Sequence, residues 1–299
     1  MEAKQQQRIL EAIAQARANF EGSDSKFATS LGISPSQYSR ITRGDTQRVL
    51  SEANWISIAR QLGVNMGNQP EWNTANTSTF QFITAQLEHC QQNSVSAMLC
   101  DYSDIGKTYT ARHYARNHKN AVYIDCSQVK TRQLFVRALA KSFGVGSTGR
   151  FADVFEDLVY YLKVLPTPLI ILDEAGDLRY EAFLEIKSLW NATDTCCGWY
   201  MMGADGLRDK IQRAINNHKV GYAEIFSRFG RNYGTVVPAS QAERELYAQR
   251  CAAQIIKANA PDGTDVNKLL HKTMGQDGMP SLRRIYRELT KLRASAKTA

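Results

Sequence analysis

Metal-ligand and disulfide signatures are missing from this sequence. Its six cysteines, at 90, 100, 126, 196, 197 and 251, include no C-x-x-C pair, and its five histidines form no cluster at ligand spacing. Neither a disulfide framework nor a zinc site is expected, and a reducing compartment suits such cysteine usage. No apolar run approaches the roughly 18 residues of a membrane span, and the opening MEAKQQQRILEAIAQ lacks the continuous apolar core of a signal peptide. A soluble, cytoplasmic protein without a membrane partner is expected. Internal repeats and low-complexity tracts are absent too, and only seven prolines with 43% hydrophobic residues exclude a disordered or fibrous chain.

What is present is a basic chain of 299 residues, long enough for about two domains. Lys and Arg outnumber Asp and Glu by 37 to 29, so an anionic partner, nucleic acid or nucleotide, is the first expectation. Residues 281–299 hold six basic side chains against one acid, which puts much of the excess at the C-terminal end.

Residues 1–66 predict a small all-α unit. Ile9, Leu10 and Ile13 recur at helical spacing, and three further segments are broken by Gly22, Gly32, Pro35 and Gly44. Residues 67–79, polar and without periodicity, read as a linker. From 80 to 237 short apolar runs alternate with amphipathic stretches: SAMLC, AVYIDC, LIILD, GWYMMG and YGTVV. That alternation predicts an α/β domain, a parallel sheet covered by helices on both faces. Residues 238–299 return to helix, with breaks at Pro261-Asp262-Gly263 and from Gly275 to Pro280.

The run ending at Cys100 is followed by Asp101-Tyr102-Ser103-Asp104-Ile105-Gly106-Lys107-Thr108 and then by a helical pattern. Strand, loop and helix in that order suit phosphate binding. Backbone N–H groups and the helix start face the anion, the Lys107 ammonium neutralises β/γ oxygens, and the Thr108 hydroxyl ligates Mg²⁺. The pattern G-x-x-x-x-G-K-[ST] begins with glycine, and here Asp101 stands in that place; its acid must point away from the triphosphate. A G-K-T tripeptide alone does no more than open a helix. The second element is Leu169-Ile170-Ile171-Leu172-Asp173-Glu174, a buried strand ending in two acids. Beyond the carboxyl ends of a parallel sheet it faces the same crevice, where Asp173 can hold the Mg²⁺ shell and Glu174 can deprotonate the attacking water.

These motifs resemble the AAA+ ATPases, and within them the target-selecting transposition ATPases typified by phage Mu transposition protein B and the TnsC-like proteins. The resemblance covers essentially the whole chain. It implies a P-loop AAA+ core carrying an N-terminal helix-turn-helix and a small C-terminal helical lid, with ATP and Mg²⁺ as cofactors and Lys107 and Glu174 as catalytic residues. It further implies a γ-phosphate sensor at Asp205, with Ala204 as the other candidate, and an arginine finger in Phe226-Ser227-Arg228-Phe229-Gly230-Arg231. Arg228 is the choice there, Arg231 the alternative; placed in trans, the finger makes hydrolysis depend on assembly. Gly278-Met279-Pro280-Ser281-Leu282-Arg283-Arg284 looks like the start of a lid helix whose Arg283 reaches the phosphates.

Residues 25–44, from Ser25 to Gly44, resemble the lambda-repressor-like helix-turn-helix family, and residues 55–64 its closing helix. Ser36, Gln37 and Arg40 are the candidates for base or phosphate contact, with Arg43 on the DNA backbone. The unit 1–66 carries eight basic and six acidic residues, no strong electrostatic grip by itself. The resemblance to transposition ATPases adds a second duplex surface, at Lys130, Thr131 and Arg132 after the second strand and at Lys210, Arg213 and Lys219 after the fourth. Solvated helix faces are the plain alternative for both groups. Trp190, Trp199, Tyr160, Tyr161 and Phe183 are expected in the core, and the histidines are assigned no chemistry.

The function expected is an ATPase that assembles as a filament or ring on double-stranded DNA in a bacterial or phage-infected cell and delivers the target to a transposase. A helicase-loading AAA+ ATPase, an ATP-switched helix-turn-helix regulator and a nucleotide-binding scaffold without turnover are the alternatives.

Overall fold

The computed structural model describes residues 3–64, 66, 72–275 and 278–298. Four helices, α1 (Ala3–Ala18), α2 (Asp24–Leu31), α3 (Pro35–Thr42) and α4 (Glu52–Leu62), form the N-terminal unit around Ile9, Phe27, Tyr38, Ile41, Trp55 and Ile58. Local chemistry sets their ends. Ser23, Ser34 and Ser51 cap α2, α3 and α4 through side-chain oxygens, and Gly32 closes α2 at φ 75°, a left-handed turn favourable to glycine.

The core follows as α5 (Ser78–Asn93), β1 (Ser96–Cys100), α6 (Lys107–Asn117), β2 (Ala121–Asp125), α7 (Arg132–Ser142), α8 (Phe151–Val164), β3 (Leu169–Asp173), α9 (Tyr180–Ala192), β4 (Gly198–Gly203), α10 (Asp205–Asn216) and α11 (Tyr222–Arg228). The four strands pair in parallel in the order β1-β4-β3-β2. Successive residues supply opposite faces, as strand geometry requires. Ile170, Leu172, Trp199 and Met201 join the larger core cluster, which also takes residues of α7 to α11. Leu169, Ile171, Tyr200 and Met202 join the cluster with residues of α5 and α6. All five residues of β3 are buried, because both of its faces are covered.

The run YGTVV does not become a fifth strand, contrary to the sequence expectation. It makes one parallel bridge, Leu99 to Gly234. Beyond Gly234 the N–H groups of Val236 and Val237 turn to the carboxylate of Asp101 instead of a neighbouring strand, and Pro238 has no N–H to offer. Tyr160 is a second correction: it is 71% exposed, because α8 buries Val154, Leu158, Tyr161 and Leu162 and turns Tyr160 outward. Trp199, Tyr161 and Phe183 are buried, and Trp190 is half-buried.

Three C-terminal helices, α12 (Gln241–Asn259), α13 (Val266–Thr273) and α14 (Leu282–Thr298), pack around Ala252, Ile256, Leu269, Ile285 and Leu289. Of the expected linker at 67–79, residues 67–71 lie outside the described residues, as do 276–277 of the break before α14 and Ala299 of the basic end. The remainder of that linker is docked. Trp72 packs against the C-terminal cluster, and Asn73 exchanges backbone and side-chain hydrogen bonds with Asn259 (2.8 and 3.0 Å). The N-terminal unit also meets the core: the Asn19 amide donates to Arg116 O at 2.6 Å, and the Lys26 ammonium lies 3.8 Å from the Tyr161 ring centre.

Candidate functional site

The site grows from the C-terminal ends of β1 and β3. After β1 the chain turns through Asp104 at φ 61° and Gly106 at φ 97°, and Gly106 serves as N-cap of α6. A left-handed N-cap brings the first N–H groups of α6 toward the loop, where a helix start favours negative charge. Lys107 is buried. Its ammonium donates to the carbonyls of Asp101 (2.9 Å) and Tyr102 (2.5 Å), inside the loop itself. Burial pulls its pKa below the usual lysine value, against the opposing charges of Asp101, Asp173 and Glu174.

Asp101, at the position where the motif has glycine, is 2% exposed and does point away from the loop. Its Oδ2 accepts from Val236 N (2.6 Å) and Val237 N (3.0 Å), and its Oδ1 from Tyr102 N (2.7 Å). Three N–H donors, one from the loop and two from the 236–237 segment, compensate the charge, which eases the electrostatic conflict the sequence raises.

Thr108 and Asp173 come together across α6 and β3. The Thr108 hydroxyl donates to Asp173 Oδ2 at 2.6 Å, and Asp173 Oδ1 accepts the N–H of Glu174 at 3.0 Å. One hydroxyl and one carboxylate are hard oxygen donors of the kind Mg²⁺ takes alongside phosphate oxygens and waters, so the pair fits that cation. Glu174 stands just beyond β3 with φ 50°, and its carboxyl pKa is raised, first by burial and then by the neighbouring Asp173 charge. A carboxylate shifted upward near the Asp173 and Lys107 charges is a proton acceptor suited to activating water.

The C-terminal helices close over the loop. Ser281 Oγ donates to Asp104 Oδ2 at 2.9 Å, and Arg283 Nε lies 3.8 Å from Asp104 Oδ1. Arg244 of α12 donates to the Tyr102 hydroxyl and stacks on that ring. Beside Gly106 opens an apolar cleft of about 360 Å³, lined by Trp72, Phe80, Tyr109, Ile255, Leu282 and Tyr286. A flat heterocycle fits such walls. Sequence reasoning missed this cleft, because its residues come from four separate segments and no local pattern joins them.

Other expected residues are more dispersed. Asp205 opens α10 and pairs at 3.7 Å with Arg208, which in turn donates to Cys100 O at the entry to the loop. Arg228, on α11, is held by Asn191 Oδ1 (2.6 and 2.9 Å) and lies over the Trp190 ring, while Arg231 Nε donates to Ser227 Oγ at 3.4 Å. Lys130 pairs with Asp177 (2.7 Å) and Arg132 with Glu185 (2.6 Å), and Thr131 is the N-cap of α7. Lys210 is turned inward, donating to the carbonyls of Gly176 and Leu178, whereas Arg213 is exposed. Lys219 stacks on Tyr180.

On the helix-turn-helix, the second helix presents Ser36, Arg40 and Arg43 to solvent. Gln37 serves the fold: its side chain accepts from Ser34 N and donates to Val49 O. Arg40 pairs with Asp45 at 2.8 Å, and Ser36 Oγ lies 2.9 Å from Ser34 Oγ.

Comparison with known proteins agrees with this architecture. Residues 96–211 match the AAA domain family and residues 13–67 a helix-turn-helix family. A Mu-like prophage FluMu DNA transposition protein B from Haemophilus influenzae is 24% identical over 175 residues, 58% of this chain and 59% of that protein. The chain thus spans less than two thirds of that relative's length. The crystal structure of Cdc6p from Pyrobaculum aerophilum superposes with a TM-score of 0.52 at 17% identity, over 77% of this chain and 65% of the other, a likeness of fold. Among the described residues no helix is long and apolar enough to cross a membrane. With a helix-turn-helix match at 13–67 and an AAA-domain match at 96–211, on a parallel sheet with helices behind it, the chain carries an AAA-type core and is similar, over part of its length, to a transposition protein B.

Proposed function

We propose that this protein is an ATPase that assembles on duplex DNA when ATP is bound and selects or delivers target DNA to a transposase. The observation that carries it is the meeting of Lys107, Thr108, Asp173 and Glu174 at the ends of β1 and β3, with Thr108 and Asp173 only 2.6 Å apart. The similarity to a transposition protein B supports the DNA and transposase parts.

In this mechanism the purine lies in the apolar cleft between Tyr109 and Tyr286, and the triphosphate meets the loop 101–108 and the start of α6. Lys107 releases the loop carbonyls and turns to the β/γ oxygens. Thr108 and Asp173 would hold Mg²⁺, which would supply neutralisation of charge on the phosphate oxygens. Glu174 takes a proton from the attacking water. Asp205 senses the γ-phosphate, Arg283 reaches it from the lid, and Arg228 of one subunit leaves Asn191 to complete the site of the next. Such a head-to-tail contact builds a filament or ring. Duplex is contacted by Ser36, Arg40 and Arg43 of the helix-turn-helix and by Lys130, Thr131, Arg132 and Arg213 of the core, largely through phosphates. The setting is the cytoplasm of a bacterial or phage-infected cell.

Phosphate release with and without duplex tests the proposal. DNA-stimulated release that Glu174→Gln abolishes, with assembly on DNA retained, is the expected outcome. No release under any condition leaves a nucleotide-binding scaffold. Selection of one short sequence from random duplex points instead to an ATP-switched regulator.

A further inference from the structure

Tyr123 sits in the middle of β2, in register with Ile171 of β3 and two residues before the level of Asp173. Its hydroxyl donates to Asp173 Oδ2 at 2.9 Å, the same oxygen that accepts the Thr108 hydroxyl at 2.6 Å. Its ring lies on the α5/α6 side of the sheet, with the Arg112 guanidinium 5.0 Å from the ring centre. Arg112 stands one turn beyond Thr108 on α6 and reaches Asp125 at 3.8 Å. Thr108, Asp173, Tyr123 and Arg112 therefore form one closed cluster joining α6, β2 and β3.

Each bond in this cluster has a distinct consequence. A carboxylate with one fixed oxygen still swings about its terminal torsion, which is broad and soft. Asp173 has both oxygens fixed, Oδ1 by Glu174 N and Oδ2 by two hydroxyls. Thr108 serves two ends: its proton goes to Asp173, and its lone pairs remain for a cation. Tyr123 donates through its hydroxyl to Asp173 and packs its ring against Arg112. It anchors the carboxylate independently of Thr108.

We propose that Tyr123 is a positioning residue for the divalent cation, acting through Asp173. The inference rests on the nucleotide function argued above and deepens it. Hydrogen-bond partners of this kind typically change metal affinity by about 10–100-fold when removed. The loss falls on the cation, because the Tyr123 hydroxyl acts through Asp173 and Tyr123 does not line the apolar cleft.

The test uses the full chain and its Tyr123→Phe variant, which keeps the ring and removes only the hydroxyl. Binding of a non-hydrolysable ATP analogue is measured by calorimetry with EDTA and across a Mg²⁺ titration. The expected result is unchanged affinity in EDTA and a rise of about 10-fold or more in the Mg²⁺ concentration that half-saturates the enhancement. Adding Tyr123→Phe to Asp173→Asn should then shift the titration no further, because both changes act on one contact. Superimposed Mg²⁺ titrations, or an equal loss with and without Mg²⁺, overturn the role of Tyr123 while leaving the nucleotide function intact. No nucleotide uptake by the unmutated chain overturns both.

Discussion

Asp101 and Val236 are joined by a 2.6 Å hydrogen bond from backbone N–H to carboxylate, and the neighbouring Val237 N–H shares the same oxygen. The acid that departs from the phosphate-loop pattern thereby replaces the strand pairing that Val236 and Val237 lack. It also ties the loop to the chain that leads from the core into α12.

Restoring glycine at this position should harm the protein. Asp101→Gly leaves three backbone N–H groups without their acceptor, and each buried unsatisfied donor costs about 1–3 kcal/mol. A loss of roughly 3 kcal/mol in chemical denaturation is expected, with ATP affinity lowered and not raised. Asp101→Asn, which keeps one acceptor oxygen, should fall between the two. Glycine giving tighter nucleotide binding at unchanged stability would falsify this account.

Asp104 holds Ser281 and faces Arg283 across the loop. An incoming triphosphate meets that carboxylate as a like charge and competes with it for the arginine. Asp104→Asn should therefore bind ATP several-fold more tightly at low ionic strength, and the gain should shrink as salt rises. Calorimetry at two salt concentrations checks both statements, and weaker binding at low salt would count against the competition.

Glu174 must be ionised to accept a proton, and burial with the adjacent Asp173 raises its pKa. The acid limb of the hydrolysis profile should accordingly lie above the ordinary carboxylate range, with turnover rising as pH increases through it. For stability the sign is opposite. A carboxyl whose pKa is higher folded than unfolded favours the folded chain at low pH, and that contribution fades as pH rises. A pH–rate profile flat down to the usual glutamate range would remove Glu174 from the role of base.

Arg228 rests on Asn191 and Trp190 within its own subunit, where its contacts are partly exposed. Arg228→Ala should cost only about 1 kcal/mol of stability, because the hydrogen bonds it loses are partly exposed. It should spare ATP binding yet cut hydrolysis by ~10³ or more if the arginine completes a neighbouring site. Mixing this variant with Glu174→Gln chains tests the trans arrangement, since mixed pairs then hold one site with a complete set of residues. No recovery on mixing moves the finger to Arg231 or abolishes it.

Gly63 closes α4 at φ 63°, and a Cβ there would lie 1.8 Å from Arg116 Nη2 on the core. Gly63→Val should loosen the end of α4 where it meets the core, because the backbone resists φ > 0 and the flexible Arg116 guanidinium must move aside. Faster protease cleavage between the two units, with ATP binding retained, is the expected result. An unchanged cleavage pattern would mean that this contact does not hold them together.

How much of this was legible in the sequence follows the range of each interaction. Caps, turns and periodicity are local, so α1 to α4 and the strands β1 to β4 could be read from serine, glycine and apolar spacing. Lys107, Thr108, Asp173 and Glu174 could be read because each closes or opens an element whose place in a parallel sheet is fixed. The fate of YGTVV could not, since it turns on a carboxylate 135 residues away. Gln37 and Lys210 carry the same lesson. A polar side chain offers hydrogen bonds to DNA or to its own backbone with equal ease, and only tertiary placement reveals that these two serve Val49, Gly176 and Leu178. Tyr160 went astray for a related reason, because one residue of helical phase separates it from buried Tyr161.

The helix that opens with Lys107 and Thr108 ends at Arg116 and Asn117, where Asn19 and Gln15 of the N-terminal unit are bonded to it. Eleven residues make a stiff strut about 16 Å long. A tilt of roughly 5° at one end displaces the other by about 1.4 Å, half the length of a hydrogen bond. Whatever enters the phosphate loop thus pushes on the same beam that the helix-turn-helix unit leans against, and whatever grips that unit pushes back.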